Sequence, residues 1–431
     1  MDFTLAQSRL TQFEAQGLAM PYDEDLSILG RPVQGDGFVA PNAFCIQPME
    51  GCDGTPDGSP DELTLQRYDG FAKSGAGLIW AEAVAVTNEG RANPRQLHIN
   101  EKNYDSFAAM RERISQQAGA AGNAQPLVII QLTHSGRFAN PSGNHDPICG
   151  WRHVSLDERY PKQAATPPVA DDTLRALPAH YAKAVRLARR AGFDGVDVKA
   201  CHLYLFSELL SAYDRPGPYG GSFENRTRLL RECVAAAAAE DHGVLSVRLN
   251  VHDAMPMGFG VKTDGSLDVD FTEPRMLLKI LADMGVRLLD VTMGTPYYNP
   301  HVNRPYNSGG YAPPENQNTG VARLLSGAKM AVEADSRLRV VGTGYTQLAG
   351  ALPPFAAGSL SQNWAHFVGI GRLAFAYPSY PADALAGEIK ANKLCLACGK
   401  CTELMRAGST AGCPVRSGVY AKLYARDVLK K

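Results

Sequence analysis

The sequence has no run of eighteen apolar residues, so no membrane-spanning helix is expected. It has no excess of either charge: 43 Lys and Arg stand against 44 Asp and Glu, a formal net charge of -1. A dedicated binder of nucleic-acid backbones carries a basic excess, and this chain does not fit that class. The N-terminal stretch MDFTLAQSRLTQFEAQG lacks the basic segment, apolar core and cleavage site of a leader. The expectation is an unprocessed, cytoplasmic protein. No glycine-rich dinucleotide fingerprint follows the first strand-like run, which weakens an open doubly wound sheet. A disulfide framework is also missing: the nine cysteines are odd in number, and four crowd into nineteen residues near the C-terminus. That distribution suits a reducing compartment and a metal site.

What is present is enough for a large core: 45% of the 431 residues are hydrophobic and 20% charged. Residues 1–40 read as an irregular lead-in. After them, apolar runs alternate with stretches of helical spacing. Strands are expected over 42–49, 77–86, 126–132, 193–200, 243–251, 286–294, 337–344 and 366–372. Helices are expected near 63–75, 101–119, 172–191, 223–241, 272–284, 318–334 and 359–365, with a long polar loop over 135–170. Strands that alternate with helical crossovers form parallel sheets. The fold expected is therefore α/β: a (β/α)8 barrel over residues 1–385 with a short cysteine-rich, cluster-binding extension over 386–431.

A parallel barrel carries its chemistry at the C-terminal ends of its strands. Polar clusters fall there: Gln131–His134–Arg137, Lys199–Cys201–His202–Tyr204, Arg248–Asn250–His252, Thr292–Gly294, Gly342–Gly344 and Gly371–Arg372. The paired strand-end glycines and Arg372 make a phosphate seat, open to a phosphosugar, a phosphorylated cofactor or FMN. Tyr204 suits proton donation, and Lys199 with His202 suits anchoring a substrate carbonyl. In a helical turn Lys199 and His202 would share a face. His134 and His252 are balanced between structural and substrate roles. His145 and His153 read as surface residues, and Cys201 as packing. Near the C-terminus, Cys395, Cys398, Cys401 and Cys413, followed by Pro414, have a spacing that suits four thiolates around a [4Fe–4S] cluster. Structural zinc, which more often uses two CxxC hairpins, is the lesser rival.

Three stretches carry a resemblance. DGVDVKACHLYLFSELLSAYDRPGPYGGSFENRTRLL (194–230), QLTHSGR (131–137) and VGTG followed by GIGR are similar to motifs of the old yellow enzyme family of FMN-dependent oxidoreductases. The cysteine spacing resembles that family's four-iron branch, which includes 2,4-dienoyl-CoA reductases, trimethylamine dehydrogenase and enoate reductases. The resemblance implies an FMN-dependent ene-reductase acting on an α,β-unsaturated carbonyl, an acyl-CoA or a cyclic enone, with electrons relayed through the cluster. It implies Pro48 and Met49 along the flavin ring, Gln131 at its pyrimidine edge and Arg248 near its N1 side. Gly342, Gly344, Gly371 and Arg372 would lie around the phosphate, Lys199 and His202 would be substrate anchors, and Tyr204 the proton donor.

Two departures stand out. Lys199 replaces a usual histidine, favouring a negatively charged or enolate-forming substrate, and Leu203 replaces a usual glycine, narrowing the space near the flavin. Only eighteen residues follow Cys413, without the FAD- and NAD(P)-binding domains of the larger members. The partners implied are a small unsaturated carbonyl compound and a separate electron-donor protein or NAD(P)H, with a homo-oligomer open and neither nucleic acid nor membrane involved. The alternatives are an amine dehydrogenase or demethylase, with Tyr297, Tyr298 and Tyr306 as an aromatic cage, and a non-catalytic electron-transfer subunit.

Overall fold

The computed structural model describes residues 3–307 and 311–430. The reading of the N-terminus as leaderless therefore rests partly on residues 1 and 2, outside the described residues. The lead-in is more ordered than its composition suggests. It holds a helix, Thr4–Ala15, and a hairpin of β1 (Val33–Gly35) and β2 (Phe38–Ala40). Asp36 and Gly37 (φ +79°) form the two-residue connection, the Asp-Gly signal that matches strand twist. The helix escapes periodicity because it buries only Ala6 and Phe13.

Eight parallel strands then close into a barrel: β3 (Phe44–Ile46), β4 (Leu78–Ala85), β5 (Leu127–Thr133), β6 (Gly195–Ala200), β7 (Val244–Asn250), β8 (Leu288–Thr292), β9 (Arg339–Gly342) and β10 (Phe367–Ile370), with β10 pairing back onto β3. Helices cover the outside, the longest being Asp171–Arg190. The helix expected over 359–365 lies earlier, at Leu352–Ser361, where Pro353 and Pro354 occupy the first turn and need no intrahelical donor. The helix expected over 223–241 is two pieces, Phe223–Arg226 and Arg228–Ala238. The long polar loop contains two short helices, Val154–Arg159 and Pro161–Ala164.

Alternation along each strand sorts the two faces. One set, including Val128, Ile130, Val196, Val198, Val247 and Leu289, packs outward under the helices. The inward set changes character along the barrel axis. At the floor, Cys45, Leu78, Trp80, Ile129, Val244, Leu288, Val341 and Phe367 form a separate apolar cluster, which Phe38 and Ala40 of the hairpin join. Two residues further along the same faces stand Gln47, Gln131, Ser246 and Asp290, with Asp197 two beyond Gly195. Lys199 and Arg248 come next. The barrel is therefore plugged below and polar above.

Among the described residues, no helix is long and apolar enough to cross a membrane.

The C-terminal cysteines do not form the expected cluster site. Among the described residues, no group of three or more His, Cys, Asp or Glu side chains is placed to hold a metal ion. Cys395, Cys398, Cys401 and Cys413 are free thiols, with Cys398 exposed and the others half-buried. Burial raises Cys395 and Cys413 above the ordinary thiol value. Close spacing brings thiols into one segment but does not fix where their sulfurs point. The [4Fe–4S] cluster, its zinc rival, the electron relay and placement in the cluster-bearing branch are all withdrawn. What the segment does is brace the barrel mouth. Ala411 N donates to Gly51 O at 2.7 Å, and the Thr410 hydroxyl lies between Gly51 O (2.8 Å) and Asp53 Oδ2 (2.9 Å).

Candidate active site

Register creates the inner site. Across β5 and β6, Gln131 is level with Asp197; across β6 and β7, Lys199 is level with Arg248; across β7 and β8, Arg248 is level with Asp290. Two cations thus stand side by side, and each has its own carboxylate. Arg248 Nε pairs with Asp290 Oδ2 at 2.9 Å, while Lys199 Nζ pairs with Glu50 Oε1 at 3.2 Å. Gln47 Nε2 donates to Asp290 Oδ1 at 2.8 Å. Asp197 takes the Gln131 amide (2.6 Å) and the Trp80 indole (3.0 Å) on one oxygen and Arg248 N (2.6 Å) on the other. Burial pushes the Asp197 carboxyl up to about 7 despite these donors.

Glu50 is the hub that the sequence did not reveal. Its Oε1 accepts from Lys199 Nζ (3.2 Å), Tyr204 Oη (3.2 Å) and Gln96 Nε2 (3.1 Å). The next residue fixes it: Gly51 N donates to Glu82 Oε2 at 2.7 Å, and Arg67 bridges Glu82 and Asp53 in a buried ion trio. The only available signal was an acidic residue directly after Pro48 and Met49. Glu50 also changes the reading of Lys199. The lysine's charge is offset, so it gives no general preference for an anion and no barrier to a cation.

Lys199 and His202 do not share a helical turn. Lys199 ends β6, whereas His202 (φ +64°) and Leu203 (φ +55°) form a left-handed kink before Tyr204 and the helix Leu205–Leu210. Backbone of this kind costs about 1–3 kcal/mol per residue and tends to occur at functional sites. Here it swings His202 and Tyr204 back into the pocket that Lys199 lines. Leu203, in a conformation that favours glycine, turns the other way and packs on Leu156 and Met255. It does not line the pocket, so it does not narrow it.

The pocket is about 200 Å³ and is lined by Pro48, Met49, Glu50, Gln131, Lys199, His202, Tyr204, Arg248, Gly344, Gly371 and Arg372, among others. Gly342 is not among its lining residues; its position faces Tyr345 and Ala365, so it is a packing glycine. Gly344 (φ +111°) needs the left-handed region, and a Cβ there would come 3.2 Å from Leu324 Cβ. A Cβ on Gly371 would come 3.0 Å from Met49 Sδ. His202 Nε2 is shielded and has no hydrogen-bond partner. Burial, with Arg248 and Lys199 adding to it, holds His202 well below the ordinary imidazole range, so the ring is neutral at pH 7. Burial, followed by Glu50, raises Tyr204 well above the ordinary phenol value, so its proton stays on.

A second cavity of about 780 Å³ adjoins the first, sharing Pro296, Tyr297, Arg304, Arg372 and Thr402. Together they fall within the roughly 300–1,000 Å³ of small-molecule sites. Tyr297 guards the passage: it stacks on Phe138 (centroids 3.7 Å apart, planes at 11°), and its hydroxyl lies 3.5 Å from that of Tyr204. The aromatic cage is not assembled. Tyr297 lines both cavities and Tyr306 only the outer one, while Tyr298 lies under the Arg159 guanidinium at 5.6 Å.

Several residues of the signature stretches are structural. Arg137 is buried between Glu208 (2.7 Å) and Asp157 (2.8 Å). Arg215 laces Gly150 O, Val169 O and Asp171, and Arg226 pairs with Glu273. His134 is buried and receives Gly136 N, while His252 meets Gly260 O at 2.8 Å. Neither lines the pocket. His145 is exposed at the outer cavity, but His153, expected at the surface, is only 2% exposed.

Comparison with known proteins agrees with this architecture. A family model described as NADH:flavin oxidoreductase / NADH oxidase matches residues 39–388. An NADPH dehydrogenase of Bacillus pumilus is 33% identical over 242 residues, 55% of this chain and 64% of that protein. A metal reductase of Desulforamulus reducens is 27% identical over 383 residues, 87% of this chain and 51% of that protein. The chain thus spans between about half and two thirds of these relatives. A solved 2-naphthoyl-CoA reductase, in complex with 2-naphthoyl-CoA, superimposes with a TM-score of 0.74 at 19% identity, covering 92% of this chain and 58% of that one. At that identity the likeness shows the fold alone. The match over the whole barrel shows that the chain belongs to the NADH:flavin oxidoreductase / NADH oxidase family, whose class is that of flavin-dependent oxidoreductases.

Proposed function

We propose that this protein is an FMN-dependent ene-reductase that reduces an α,β-unsaturated carbonyl compound with electrons from a reduced nicotinamide nucleotide. The observation that carries the reading is the meeting of Tyr204, Lys199, Glu50 and the unpartnered His202 Nε2 in one pocket with Pro48, Gln131 and Arg248. The residues present fit the cofactor: a shielded ring nitrogen without a partner, and two pocket-lining glycines, Gly344 and Gly371, where Leu324 and Met49 leave no easy room for a side chain. Pro48, Met49, Gln131 and Arg248 would hold the ring, and Gly344, Gly371 and Arg372 the phosphate. Bound FMN supplies hydride chemistry, accepting an electron pair from one partner and passing it to another.

The chain's own groups do the rest. Asp197 engages the Gln131 Nε2 donor, which leaves the amide oxygen free to accept. Arg248, balanced by Asp290, keeps a positive charge inside the barrel. With its proton on Nε2, neutral His202 donates to the substrate carbonyl oxygen beside Lys199, stabilising charge that develops there. Tyr204, held protonated, delivers a proton to the carbon next to the carbonyl. Hydride on one carbon and proton on the other complete a two-electron reduction of the double bond. Glu50 holds Tyr204 Oη and Lys199 Nζ in position through a single oxygen.

The test is spectroscopic. Purified protein loaded with FMN should lose its flavin absorbance near 450 nm when NADPH is added without oxygen, and cyclohexenone should restore it. Protein that holds no FMN, or reduced protein that no enone reoxidises, would overturn the reading.

A further inference from the structure

The two adjoining cavities treat their cations differently. In the inner one every cation but the shared Arg304 and Arg372 has a carboxylate. The outer one is lined by Arg159, Arg304, Arg372 and Arg406 and by a single carboxylate, Glu403. Among the described residues, none of these four arginines has a carboxylate partner, although Arg67, Arg137, Arg226 and Arg323 elsewhere all do. Neutral groups orient them instead. Arg159 Nε donates to Tyr297 O at 3.0 Å, Arg304 Nη1 to Thr402 Oγ1 at 2.5 Å, and Arg406 Nη2 to Pro296 O at 3.3 Å. They arrive from separate parts of the chain: Arg159 from the loop after β5, Arg304 from the loop after β8 and Arg406 from the helix Lys400–Arg406. Such convergence sums positive potential in one concavity and leaves guanidinium forks unsatisfied.

We propose that the outer cavity is an anion subsite, in which Arg159, Arg304 and Arg406 receive a phosphate group carried by the ligand whose reactive end enters the inner pocket. This rests on the reading of the inner pocket given above. Three further features support it. The residues given above to FMN line the inner pocket, about 200 Å³, so with the cofactor bound the body of an extended ligand must occupy the outer space of about 780 Å³. The stacked Phe138 and Tyr297 rings at the passage offer a flat apolar surface to the connecting part. Arg304 is held down to about 10, first by burial and then by repulsion from Arg372 and Arg406, a strain that a bound anion relieves. Phosphate could enter on either of two ligands, the nicotinamide nucleotide donor or a phosphate-bearing unsaturated substrate.

The experiment uses FMN-loaded protein at low salt and inorganic pyrophosphate as the probe, followed by titration calorimetry. Saturable binding is expected, weakened at least ten-fold in R304M/R406M and substantially regained in R304K/R406K. Flavin absorbance and thermal midpoint report that the variants are folded. Undetectable binding in the parent protein, or equal binding in R304M/R406M, would overturn the proposal. Steady-state kinetics then identify the source. A KM for NADPH that rises ten-fold more than the KM for neutral cyclohexenone assigns the subsite to the donor. The same rise confined to a phosphate-bearing enoyl ester assigns it to the substrate. Arginine-dependent pyrophosphate binding by a protein that reduces no enone would leave the subsite standing while the proposed reaction falls.

Discussion

The inner pocket and the outer cavity adjoin at Pro296, Tyr297, Arg304, Arg372 and Thr402, yet they are built on opposite electrostatic plans. Inside, Lys199 and Arg248 lie level on neighbouring strands and are matched by Glu50 and Asp290. A matched pair fixes position, because each member limits where the other can go, and it leaves little net charge to attract a ligand. Outside, the arginines are oriented by carbonyl and hydroxyl oxygens and remain uncompensated. Positioning and attraction therefore belong to different cations in this molecule, and a count of charged residues would not separate them.

The strongest way to break the inner plan is at Tyr204. Y204F is expected to lower kcat for an enone by about 10²–10⁴, the usual worth of general acid catalysis, while leaving pyrophosphate binding outside unaffected. Reduction of the flavin by NADPH, followed by stopped flow, should remain fast. Equal loss in both half-reactions would place Tyr204 outside proton transfer.

E50Q makes the inner pocket resemble the outer one, with Lys199 left without a carboxylate. The loss of charge-assisted hydrogen bonds is expected to cost about 1.5–3 kcal/mol, read from urea unfolding of wild type and variant. The variant should also gain affinity for a small anion such as formate, measured as competitive inhibition against an enone. No change in either quantity would show that the Glu50 contacts carry no energy.

G344A strains the wall of the inner pocket, which Gly344 lines. With φ at +111° and Leu324 Cβ 3.2 Å away, an alanine is expected to cost about 1–3 kcal/mol and to weaken FMN retention, measured by flavin fluorescence after gel filtration. G342A gives the contrast: any loss of stability there should come without a selective loss of flavin.

The smallest expected effect is a pH slope. His202 is held well below 6.5 in the folded protein, so the unfolded chain takes up a proton that the folded one refuses. Its contribution to stability is therefore present above about pH 6.5 and is lost as the pH falls below that value. H202Q should destabilise less than wild type between pH 7.5 and 5, judged by denaturant melts. A steeper acid loss in the variant would contradict the sign.

Strand ends were the most legible feature of the site. Gln131, Lys199 and Arg248 stand out because a charged or amide residue closing a buried apolar run is conspicuous. Their partners were not. Asp197 is embedded within GVDVK and Asp290 within LLDVT, where a lone acid gives no hint of facing a cation on another strand. Glu50 sits in a turn that composition marks only as loop, and it becomes a hub because Glu82, Arg67 and the C-terminal Thr410 and Ala411 hold that turn in place. The cysteine motif shows the opposite error. Its spacing was vivid, but spacing constrains only sequence separation, and among the described residues no group of three or more metal-ligating side chains is placed to hold an ion.

Local sequence thus determined the alternation of elements, the polar upper ends of the strands and the glycine turns that close the last two of them, because each depends on neighbours a few residues away. Only the closed barrel decided which cation meets which carboxylate, which histidine loses its proton affinity and which arginines converge unpaired. Those outcomes depend on register between strands, burial from all sides and the meeting of loops far apart in the chain, none of which is a property of any single segment.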